Sequence, residues 1–158
     1  MNKIHEFTLL LVSIIFLSAG LSSCDLGDKP DPEFPLYVSY VISAGEVSFE
    51  GPEQLLIDIK AWINDNQIAY DEKVNYSSGA ASEFATTDAK AIKKFDEEFM
   101  PKFNAYLEQV RNKLSTGTYG KNPSVKASFG VYAARRQGEN RDLKYAIVDL
   151  TYPSGSAQ

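Results

Sequence analysis

Three kinds of side chain in this sequence could do chemistry: clustered carboxylates, a group of arginines, and an Asn-Asp-Asn run. Asp71-Glu72 and Asp96-Glu97-Glu98 are the carboxylate clusters. Two carboxyls can serve as general acid and base when they flank a cleft at a set separation. Neighbouring residues on a strand point to opposite faces, so Asp71 and Glu72 cannot form such a pair. The trio at 96–98 alternates with Lys90, Lys93, Lys94 and Lys102. A solvated helix face with i,i+4 ion pairs accounts for that pattern. Asn64-Asp65-Asn66 offers oxygen ligands of the kind calcium takes. It lacks the glycine and the distant glutamate of a calcium loop, so a helix-ending turn explains it better.

Arg135, Arg136 and Arg141, with Lys144, flank a turn cluster at Gln137-Gly138-Glu139-Asn140. Arginine forks can grip a carboxylate or phosphate of a partner. The competing reading is charge that protects a strand edge. Tyr37, Tyr132 and Tyr145 are expected on a sheet face that no helix covers. There an exposed tyrosine row could bind a glycan or a protein, unless a second layer or a dimer mate buries it.

The N-terminus carries an address. Lys3 supplies a positive charge, and Phe7 to Leu17 is an apolar run. Ser18, Ala19 and Gly20 then begin a small-residue region. This is the plan of an export signal, and the run is too short to span a bilayer, which takes roughly 20 residues. It ends in Leu21-Ser22-Ser23-Cys24, which resembles the bacterial lipobox. The resemblance implies a diacylglyceryl thioether on Cys24, cleavage before it, and acylation of the new amine by a chain such as palmitate. Several acyl chains give the stable anchoring that one cannot.

His5 and Cys24 are the sole histidine and cysteine of the chain. Cleavage before Cys24 leaves no histidine, and lipid blocks the thiol. Ser-His-Asp and Cys-His catalysis and Cys/His zinc sites are then excluded, as is an intramolecular disulfide. The sequence has no G-x-S-x-G, no Gly-rich phosphate loop and no dinucleotide fingerprint. We therefore expect a protein that is not an enzyme and carries no cofactor or metal.

The charge balance is uneven. Residues 25–115 hold 9 Lys and Arg against 17 Asp and Glu, while residues 116–158 hold 6 against 3. The overall net charge of −5 argues against a nucleic-acid partner, which normally meets a basic footprint. The split is read as two solvated faces of one domain. Residues 24–35 are acidic and proline-rich, the composition of a tether. An acidic stretch after the lipidated cysteine resembles the surface-export signal of Bacteroidetes lipoproteins. Asp25 also suits the enterobacterial rule for inner-membrane retention. The outer membrane or cell surface is the favoured location over the periplasmic face of the inner membrane.

The elements that must position these residues follow from apolar periodicity. Leu36 to Ser43 alternates as a strand, Ala44-Gly45 is expected to bend the chain, and Val47 to Glu50 to pair back briefly. Gly51-Pro52-Glu53 opens a helix with Pro52 in its first position. Leu55, Leu56, Ile59, Trp62 and Ile63 are its buried stripe. Ile68 to Tyr76 is a strand, interrupted on its apolar face by Glu72. Ser77 to Ala85 reads as a loop, with Thr86 or Thr87 capping the longest helix and Asp88 in its first turn. That helix carries an apolar stripe from Ile92 to Leu114. Pro101 lies inside the stripe and predicts a kink near Glu97–Pro101, or a break into two helices. Gly117 follows the helix end. Val125 to Arg135 and Leu143 to Tyr152 form a hairpin.

The order is β-α-β-α-β-β. It predicts an α+β two-layer sandwich, loosely ferredoxin-like, with a mainly antiparallel sheet of about four strands and two helices on one face. Its β-α-β steps suggest right-handed crossovers between parallel strands. The expected organisation is a signal peptide at 1–23, a tether at 24–35, a single domain at 36–152 and a tail at 153–158. Such a chain reads as a lipid-anchored envelope module that binds a protein, peptide or glycan partner. The alternatives are a structural subunit of a surface assembly, or a hydrolase that uses carboxylates alone.

Overall fold

A computed structural model describes residues 35–75 and 80–153. The signal, the lipobox, Tyr76 and the end of the tail lie outside the described residues. In chain order the elements are β1 (Pro35–Glu50), α1 (Glu53–Asn66), β2 (Ile68–Asn75), α2 (Ala80–Lys94), a π-helical turn (Phe95–Phe99), α3 (Met100–Ser115), β3 (Val125–Arg135) and β4 (Arg141–Tyr152). The four strands make one sheet in the order β2-β1-β3-β4, every neighbouring pair antiparallel. This is the α+β class and element order that the periodicity predicts.

The first strand differs from expectation. Ala44-Gly45 does not bend the chain, and β1 runs unbroken to Glu50, paired along β3. The irregularity is a bulge between Glu46 and Ser48. Before it, Val38, Tyr40, Ile42 and Ala44 face inward; after it, the inward residue is Phe49. One extra residue, Val47, shifts the alternation and stays exposed. Two successive small residues therefore marked a pairing partner, Gly130 opposite Gly45, and not a turn.

Only the first half of β1, Pro35 to Ile42, pairs with β2. The distance from Glu50 back to Ile42 is about 26 Å of strand at ~3.3 Å per residue. The 14 residues of α1 cover about 21 Å at 1.5 Å each, so α1 followed by β2 makes one return path beside β1. This corrects the crossover reading. The step from β1 to β2 joins antiparallel neighbours, and only the step from β2 to β3 joins parallel strands, across β1.

Both helical segments cover the same sheet face. Leu55 and Ile59 of α1, with Phe103, Leu107, Val110 and Leu114 of α3, close over Ile42, Phe129, Val131 and Leu150. Pro52 is the cap of α1 and precedes its first helical residue; its carbonyl accepts from the Leu55 amide at 3.1 Å. Trp62 is half-buried, where full burial was expected. It stacks on Tyr106 with ring centroids 4.6 Å apart and contacts Phe99 and Phe103.

The long helix starts earlier than predicted, at Ala80, so Thr86 and Thr87 do not cap it. Their hydroxyls return to the carbonyls of Ser82 and Phe84. At Pro101 the helical run does not stop: α2 passes through the π-helical turn into α3. A π turn over Phe95–Phe99 absorbs the missing donor, with the Met100 amide bonded to the Phe95 carbonyl. Phe95 and Phe99 both remain buried. After Ser115 the Thr118 amide bonds the Lys113 carbonyl and the Gly117 amide the Leu114 carbonyl, with Gly117 at φ +78°. That pair of bonds is a Schellman C-cap, which favours glycine in the left-handed region.

Candidate functional site

Among the described residues, one face of the sheet is left bare. Residues opposite one another on neighbouring strands share a face, so the register fixes what it presents. Ser43, Tyr132 and Tyr145 form one row across β1, β3 and β4; Gly45, Gly130 and Ile147 form the next; Ser48, Ser128 and Asp149 follow. Tyr145 is 55 % exposed and Ile147 51 %. The Ser128 hydroxyl donates to Asp149 at 2.5 Å.

Tyr145 lies across Gly130. A Cβ placed on that glycine would meet the Tyr145 hydroxyl first, and the ring atoms Cε2 and Cζ at 2.9 Å. Glycine there is what lets the ring lie down against the sheet. A Cβ on Gly45, by contrast, meets nothing within 4 Å, so the floor beside the ring is open. Tyr132 is half-buried under the Arg136 guanidinium, 5.2 Å from its ring centroid.

Of the three tyrosines expected to form a row, the structure unites two. Tyr132 and Tyr145 are directly paired. Tyr37 is on the bare face and 53 % exposed, but it pairs with Lys73 of β2 and stands six residues along β1 from Ser43. That is about 20 Å away.

The arginines divide between the two faces. Arg135 is 4 % exposed and turns inward, where its Nε and its terminal nitrogen reach the two carboxylate oxygens of Asp88 at 3.3 and 2.5 Å. Arg141 donates to the same carboxylate. Tyr40 donates to Asp88 at 3.3 Å and also bonds Thr87, and the Arg135 guanidinium sits 4.9 Å over the Phe84 ring. Burial pushes the Tyr40 hydroxyl above its ordinary value. The carboxylate that Arg135 and Arg141 grip is thus the chain's own. Arg136 is left exposed on the other face.

Asp88 was expected in the first turn of the helix, as a partner for its dipole. It lies instead in the middle of α2, buried. Two signals could have found this network. Phe84, Asp88, Ala91 and Phe95 have the spacing of a single inward stripe. Arg135 is the next inward position after Val131 and Ala133.

The carboxylate clusters at 71–72 and 96–98 are engaged at the surface. Asp71 accepts from Ser39 on the bare face, and Glu72 pairs with Lys90 at 2.6 Å on the other. Lys93 pairs with Glu97 and Lys94 with Glu98, four residues apart. Asp96 reaches Lys144 of β4 at 2.5 Å, a tertiary contact that the sequence pattern did not suggest. Asn66 ends α1 and bonds the Trp62 carbonyl at 2.8 Å. Among the described residues, no three His, Cys, Asp or Glu side chains are arranged to hold a metal. A cleft of about 590 Å³ lies past the end of α3, lined by Thr116, Gly120, Lys121, Asn122 and Tyr152 among others, with no carboxylate in its wall. Nearby, Asp58 accepts from Gln54 and Tyr119, both at 2.8 Å, and these bonds hold its carboxyl below the usual range.

No protein-family model matches this chain, and neither a curated protein nor a solved structure does.

Proposed function

We propose that this chain is a lipid-anchored module of the bacterial cell envelope. Cys24 holds it at the outer membrane or cell surface, and the bare face of its sheet binds a protein, peptide or glycan partner without catalysing a reaction. The observation that carries the binding role is the exposed Tyr145–Ile147 patch on a sheet whose other face is fully occupied by its own helices. Exposed apolar surface of this kind, ringed by polar groups, is retained where a partner covers it. Arg136 is the arginine left free to meet that partner at the rim; Arg135 and Arg141 already hold Asp88. The anchoring role rests on Leu21-Ser22-Ser23-Cys24.

A second reading, a structural subunit of a surface assembly, draws on the edge strand β4. Its run from Tyr145 to Tyr152 carries one charge, Asp149, and little else that guards an edge. One experiment separates the readings. Cells express the full chain, Cys24→Ala, or the double variant Tyr145→Asp/Ile147→Asp. Anchoring predicts that Cys24→Ala leaves the membrane fraction and loses labelled fatty acid. Face binding predicts that the double variant stays folded and anchored but no longer retains envelope components that the full chain retains. A chain that self-associates equally well with both aspartates present would favour the edge.

A further inference from the structure

We propose that the Tyr145–Gly130 contact forms a stacking platform for a neutral pyranose ring of a glycan. This rests on the reading of the bare sheet face as the binding face, and it names the ligand class.

Gly45 and Gly130 face each other on adjacent strands, so two neighbouring positions of the bare face lack side chains. Over Gly130 the space is taken by the phenol end of Tyr145, whose hydroxyl and ring edge would collide with any Cβ there. Over Gly45 nothing intrudes. A tyrosine that merely shielded a glycine backbone would gain most by being buried, yet this ring is 55 % exposed. The result is an exposed aromatic surface held low against the sheet, with an open floor on one side and Ile147, itself 51 % exposed, beside it.

That shape suits a ligand with one flat apolar face. A hexopyranose has such a face, formed by ring C–H groups, and weak C–H contacts to an aromatic ring are favourable. Its other requirement is hydrogen bonding from many hydroxyls at once. The next row supplies it: Ser48, Ser128 and Asp149 lie side by side across three strands, and the Asp149 carboxylate can accept further bonds beyond the one from Ser128. A protein side chain that packed here would want a pocket to fill, and the open floor at Gly45 has no walls of that kind.

The test uses the full-length protein in a detergent without a sugar headgroup. Cellotetraose, maltotetraose and chitotetraose are titrated while the tyrosine ring resonances are followed by NMR, with Tyr145 assigned through Tyr145→Phe. The expected result is a saturable shift of the Tyr145 ring with at least one of them. Gly130→Ala, which lifts the ring, and Tyr145→Leu, which removes it and leaves the glycine intact, should each weaken binding by about tenfold or more. Tyr37→Ala should bind as the parent does. Because all three probes share the apolar ring face, silence with all three overturns the proposal. So does binding that survives Tyr145→Leu. If the sugars fail while a protein partner is still lost on Tyr145→Asp/Ile147→Asp, the glycan assignment falls and the binding module stands. If neither binds, both fall.

Discussion

Asp88, itself buried, receives both hairpin arginines and a tyrosine, and its environment decides what those arginines can do. Removing one member of a buried ion pair strands the other charge, which typically costs 3–5 kcal/mol. Asp88→Ala should therefore destabilise the protein by about 3 kcal/mol or more, read as a lower urea midpoint. Arg141→Ala removes a half-exposed partner and should cost less than about 1 kcal/mol. Equal losses would mean that Arg141, not Arg135, carries the network. The sequence exposed the arginines as a group able to grip an anion. It hid the anion because Asp88 follows two threonines, a pattern that also marks a helix start.

Asp58 makes a second residue-level prediction. Its carboxyl is held below its ordinary value of 3.8, first by the Gln54 bond and then by Tyr119. A depressed carboxyl contributes stability above its unfolded-state value and loses it as pH falls through the folded-state value. Stability should thus decline below about pH 3.8, and Asp58→Asn should flatten that part of the pH profile of chemical denaturation. A profile identical to the parent's would show that the bonds to Gln54 and Tyr119 do not shift Asp58.

Among the elements, the aromatic seam between α1 and α3 holds the helical layer together. Phe99 is buried at 1 % exposure, while Trp62 keeps one side in solvent. Phe99→Ala should cost about 3–5 kcal/mol through lost burial and a cavity. Trp62→Ala should cost less, about 2 kcal/mol, because part of its surface was never removed from water. A larger loss at Trp62 would mean that its stack on Tyr106 matters more than burial. Burial also pushes the Tyr106 hydroxyl up to about 12.

Element order and the inward faces of β3, α1 and α3 were legible because apolar periodicity records burial directly. Three features were not. The bulge at Val47 is one extra residue in an otherwise regular strand, and Ala44-Gly45 looks like a turn until its partner Gly130 is known. The early start of α2 was hidden because Ser77 to Ala85 reads as a small-residue loop. The response to Pro101 depended on whether the chain could keep Phe95 and Phe99 inward, and the π turn does so without ending the helix.

At the scale of the whole molecule, the described residues cover the sheet on one side only. Tyr132 and Tyr145 were legible as neighbours on its bare face, while Tyr37 was assigned to the same row because strand register is not written in a single strand. The Gly130 beneath Tyr145 was likewise invisible until β3 and β4 were aligned. The account's central claim is that this bare face meets the partner. Site-specific photo-crosslinking in intact cells tests it most directly, with a photoreactive residue at position 147 and a control at Gln109, exposed on the helical side. The account predicts a discrete adduct of defined mass from position 147 and none from position 109. Discrete adducts from position 109 alone, or none from either, would contradict it.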